Sequence, residues 1–85
     1  MTRIELAHPI TMGDERIDAI EVDRPKVKHL MAYDREQGEM AKMAALIAEL
    51  AGLPRPVIDQ MDAADFMRAS EVVSGFLDAG QATGT

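Results

Sequence analysis

The sequence predicts an α+β fold, an N-terminal β-hairpin packed on three to four short α-helices, with most of the chain helical. Three observations carry this. Ile4 and Leu6 alternate with Arg3 and Glu5, and Ile20 and Val22 share one face of a later run, the period-two pattern of half-buried strands. Gly13-Asp14, between these runs, is a turn signal. From Pro25 onward the apolar spacing becomes that of helices.

The first strand is expected over 3–10. Pro9 removes a ladder donor and places that end at an edge or a strand exit. Residues 11–15 form the connection and 16–22 the second strand, with a bulge or kink near Asp18-Ala19, where the alternation slips. A lone hairpin is barely stable in water and needs a third element. Pro25 suits the first turn of a helix, because its missing N–H has no partner there anyway. That helix runs to about Arg35. Val27, Leu30 and Met31 form its apolar face, with Lys26, Lys28 and His29 pointing away.

Gln37-Gly38 breaks the chain before a second helix, about 39–51. Only Lys42 and Glu49 interrupt residues 40–51, so this helix is apolar almost all round and reads as buried. Met40, Met43, Ile47 and Leu50 form one face, and Ala41, Ala45 and Ala48 a flat flank. Gly52 stops the helix, and Leu53-Pro54-Arg55-Pro56 is a stiff connector. A short helix follows, about 56–61. In the last helix, to about Asp78, Asp62 is the expected N-cap and Asp65 the acid of a capping box. Its inner stripe is Phe66, Ala69, Val73, Phe76 and Leu77. Residues 1–79 are thus expected to form one small domain (hairpin 3–23, helical part 25–79), with 80–85 a disordered tail.

A domain of 85 residues buries only about 60% of its unfolded surface, so packing or a partner has to stabilise it. There is no Cys, which excludes disulfides and Cys-based metal sites and fits a reducing cytosol. The N-terminus alternates and carries Glu5, unlike a signal peptide, and no run is long enough for a membrane span. Net charge is −6. Residues 1–35 contribute six cations and seven anions, and residues 36–85 three cations and eight anions. An acidic surface repels phosphate backbones and anionic lipid, so neither nucleic acid nor membrane is an expected partner.

Nothing in the chain points to catalysis, metal or cofactor binding. The glycines lack phosphate-loop spacing. Ser70 and Ser74 lie mid-helix, and His8 and His29 have no orienting partner nearby. His8 with Asp14 and Glu15 lacks metal-ligand spacing. The Asp59, Asp62, Asp65 series lacks the glycine and distal Glu of a calcium loop, and helix capping explains it better. The chain is therefore expected to bind rather than to catalyse.

Methionine is the more informative residue, with seven in the chain. Flexible thioethers fill cores and also suit surfaces that adapt to partners. Spacing favours the core for Met31, Met40, Met43 and Met61. Met67 falls on the polar side of the last helix, near Glu71, Ser74 and Asp78, and is a candidate contact residue. Met40, Met43, Ile47, Leu50 and Met67 are the candidate partner-binding residues.

The order of features also carries a resemblance. Pro9-Ile10, a turn, the strand with Ile17, Ile20 and Val22, then Arg24-Pro25 and Leu30 are followed by LIAELAGLP (Leu46 to Pro54), the Ile58 to Met61 step, Asp65 and VVSGFL (Val72 to Leu77). Over residues 4–78 this resembles the phage tail assembly chaperones of the Mu and P2 type. Many members have an acid before the proline, where this chain has Arg24. The resemblance implies a chaperone of the tape measure protein, the long helical rod that sets tail length. It would act in the cytoplasm of the bacterial host, keep the rod soluble and help recruit tail tube subunits. It would be absent from the mature virion, and in many cases a frameshifted longer product accompanies it. The tape measure protein and the tail tube protein are the partners the resemblance implies. Separately, an isolated monomer would leave part of the all-round apolar second helix exposed, so a second copy of the chain is an expected partner too. A small acidic adaptor or regulatory helical domain of a mobile element is the alternative.

Overall fold

The computed structural model describes the backbone of residues 1–83 and the side-chain surroundings of residues 1–77. Strands β1 (Thr2–Met12) and β2 (Glu15–Val22) form an antiparallel hairpin, followed by helices α1 (Val27–Arg35), α2 (Glu39–Ala51), α3 (Arg55–Asp59) and α4 (Ala63–Thr83). The fold is the α+β arrangement expected from the sequence. Met12 pairs with Glu15 across a two-residue turn, and Gly13 takes its first position with φ 62°. Positive φ at the first turn residue alone is the type II′ geometry, which matches strand twist and favours glycine.

The hairpin kinks on the strand opposite the one expected. β1 advances from Glu5 to Ile10 while β2 moves only from Ala19 to Ile17, so the surplus residues lie on β1. Pro9 sits inside that irregular stretch, where the ladder asks no N–H of it, and β1 continues to Met12 rather than ending near Pro9.

Helix α1 also starts later than expected. Its N-cap is Lys26, so Pro25 precedes the helix rather than opening it. The reason is local: the Lys26 amide donates to His29 Nδ1 at 2.9 Å, which fixes the first turn one step on. Helix α2 ends at Gly52, whose left-handed backbone (φ 67°) lets its N–H reach Ala48 and Glu49. Helix α4 continues to Thr83, past Asp78. Of the tail expected over 80–85, residues 84 and 85 lie outside the described residues.

One core joins the elements. Ile4 faces Ile20 across the hairpin, and with Leu6, Ile10 and Val22 they cover Leu46, Ile47 and Leu50 of α2, Val57 and Ile58 of α3, and Ala69 and Val73 of α4. Val22, Leu46, Ile47 and Val73 are wholly buried. The Asp23 amide donates to the Leu50 carbonyl and ties the end of β2 to the end of α2. Helix α1 contributes no fully buried residue. No helix among the described residues is long and apolar enough to cross a membrane.

Among the described residues Asp65 is the exception to an apolar interior, at 1% exposure. Its carboxylate accepts the Ala7 amide (3.0 Å) and the His8 amide (2.9 Å), in the irregular part of β1. Arg68, one turn along α4, pairs with Asp65 and donates to the Glu5 carbonyl at 3.1 Å. The expected capping box is therefore half formed. Asp62 does cap, accepting the Ala64 amide at 3.0 Å, but Asp65 turns away to pin the hairpin. The amides it takes are those that the kink releases from the ladder.

Candidate partner-binding surface

Helix α2 is apolar nearly all round, and its two halves meet different fates. Its C-terminal half lies under the hairpin and α4. Its N-terminal half emerges: Met40 is 64% exposed, and Ala41 and Met43 are half-buried. The Pro54 and Pro56 connector turns the chain back, so that α3 and the first turn of α4 lie beside this emerging half. Between them runs a groove of about 340 Å³, lined by Met40, Ala41, Ala44, Ile58, Met61 and Phe66, with Arg55 and Asp59 among its polar members.

The groove exists because Ala41 and Ala44 leave room that larger side chains would fill. Met40 forms an unbranched, mobile wall that can follow the shape of an apolar side chain. Arg55 is already engaged with Asp59 and with Glu36 at the end of α1. Its hydrogen bond to Glu36 raises its pKa against some desolvation, and Asp59 adds to the effect. The groove therefore offers apolar contact with its one cation neutralised. A second groove, about 420 Å³, lies between α1 and α2. It is lined by Ala32, Ala45, Ala48, Gly52, Leu53 and Pro54 and flanked by Glu49 and Arg55.

The structure divides the five residues nominated from sequence. Met40 lines the groove. Met43 is half-buried and packs against the core. Ile47 and Leu50, at 0% and 4% exposure, are core residues and are not available to a partner. The face they share is covered by the chain's own hairpin. Met67 is exposed on α4, but it is Phe66 beside it that lines the groove. Ile58 and Met61, apolar in the expected short helix, are buried at 2% and 9% and form only the base of the groove, with half-buried Phe66 at its side; no sequence pattern brings the three opposite Met40. Met31 and Met40, read from spacing as core, are 56% and 64% exposed.

The family model for phage tail assembly chaperone proteins (E, or 41 or 14) matches residues 3–78. The chain belongs to this family. The match spans the hairpin, all of α1 to α3 and most of α4. No curated protein and no solved structure matches the chain. Membership in the tail assembly chaperones implies a role in tail assembly and binding to tail proteins.

Proposed function

We propose that the chain acts by binding, not by catalysis, and shields an apolar helical stretch of the tape measure protein until the tail tube assembles around it. The observation that carries this reading is the groove beside the emerging half of α2, walled by the exposed, unbranched Met40. A helix presents apolar side chains three or four residues apart, and a groove between helices receives them. The net charge of −6 would keep such a complex in solution by repulsion between copies. The work would take place in the cytoplasm of the bacterial host, with the chaperone leaving as tube subunits replace it, so that it is absent from the mature virion.

Co-expression with the tape measure protein tests the proposal. The chaperone should raise the soluble fraction of the tape measure and copurify with it. Met40→Glu, at an exposed position, should abolish both while leaving the chaperone folded. A tape measure that is equally insoluble with and without the chaperone, or a complex indifferent to Met40→Glu, would refute it.

A further inference from the structure

Helix α1 and its lead-in concentrate the cations that the fold leaves without a carboxylate. Of the nine Lys and Arg, Arg3, Arg16, Arg55 and Arg68 are in ion pairs and Lys42 lies over the Tyr33 ring. Lys26, Lys28 and Arg35 have no carboxylate within salt-bridge distance among the described residues. Arg24 has none either and rests on the Phe76 ring. All four lie between residues 24 and 35, on a chain whose net charge is −6.

The same helix turns its apolar face outward. Val27, Leu30 and Met31 are 74%, 37% and 56% exposed, whereas His29, Ala32, Tyr33 and Glu36 are half-buried on the side toward α2. At 3.6 residues per turn, Lys26 borders one margin of the stripe, and Lys28 and Arg35 border the other. Asp34 closes the stripe at its C-terminal end.

We propose that this face of α1 is a docking surface for an amphipathic helical segment of another protein, one whose apolar stripe is bordered by Asp and Glu. An apolar strip between cations complements an apolar strip between anions. The apolar contact supplies affinity, and the charges set register and select the partner. A second copy of the chain is disfavoured because each copy carries −6 and the two repel. The contact is short and mostly solvent-edged, which makes it weak and salt-sensitive. None of the residues lining the Met40 groove belongs to α1, so this surface stands or falls independently of the tape measure reading.

The test is a nuclear magnetic resonance titration of the full chain with two synthetic helical peptides of about 18 residues. They share one Leu stripe and differ only in its flanks, Glu in one and Lys in the other. The Glu-flanked peptide should move the amides of residues 24–35, with affinity falling on the order of fivefold between about 50 and about 300 mM salt. The Lys-flanked peptide should bind there on the order of tenfold more weakly. The exposed triple variant Lys26→Glu, Lys28→Glu, Arg35→Glu should reverse that preference. Equal binding of the two peptides, shifts at the Met40 groove in place of α1, or no shift at all would overturn the proposal. So would α1 shifts that depend on protein concentration without peptide, or a single-stranded oligonucleotide that moves the same amides more strongly.

Discussion

Asp65 is the residue on which the junction of hairpin and helices turns. Burial alone would push its carboxyl up, but the His8 amide, the Ala7 amide and the Arg68 guanidinium outweigh it and hold the pKa below the ordinary carboxylate value. A carboxyl that binds its proton less readily when folded contributes stability above its unfolded pKa, about 3.9. That contribution is lost as pH falls through the folded value. Asp65→Asn should therefore lower the urea midpoint clearly at pH 7. The gap from the unmodified protein should narrow below about pH 4 and close at lower pH. The effect at pH 7 should exceed that of Arg3→Ala, which removes only an exposed ion pair on the same strand. A gap that does not change with pH would mean that the ionised carboxylate is not what holds β1.

At the scale of elements, helix α1 separates position from orientation. Its place in the chain follows from Pro25 and Gly38, and its helical period from Val27, Leu30 and Met31, all legible in the sequence. Periodicity establishes that a face exists, not which way it turns. In this helix Tyr33 and Ala32 face α2 instead, held by the Lys42–Tyr33 contact and by the Arg55–Glu36 pair. Those partners lie on other elements, where local spacing carries no information about them. The kink in β1 likewise depends on a distant partner, since Asp65 supports it from 57 residues away. The α2 face divides in the same way. Met40 was readable as a candidate, but the base and side of its groove, Ile58, Met61 and Phe66, meet it only through the proline connector. The contrast can be measured. Val27→Ser and Met31→Ser should each change unfolding free energy by no more than about 0.5 kcal/mol, whereas Leu46→Ala should lose about 2–5 kcal/mol. Comparable losses at both sites in chemical denaturation would place the α1 stripe inside the protein.

At the scale of the whole molecule, charge and apolar exposure oppose each other. The hairpin and α4 cover Leu46, Ile47 and Leu50 within a single chain, which removes the reason that an all-round apolar α2 supplied for self-association. Among the described residues the Met40 groove and the α1 stripe stay outside, with Met1, Met12, Met67 and Leu77 exposed elsewhere, in a chain of net charge −6. At neutral pH, repulsion between copies should keep the chain monomeric. Near the isoelectric point, about 4.7, that repulsion vanishes while the apolar patches remain. Because Asp65 titrates below the ordinary carboxylate value, it stays ionised there and the hairpin stays pinned. Sedimentation should therefore show a monomer at about pH 7.5 and association near pH 4.7 that reverses on return to neutral pH, with unchanged helical circular dichroism throughout. Met40→Gln combined with Val27→Gln and Met31→Gln should weaken that association. If helix content falls along with it, the fold itself is failing at that pH and the role assigned to Asp65 is wrong. If the triple variant associates as strongly as the unmodified chain, the sticky surface lies elsewhere than the groove and α1.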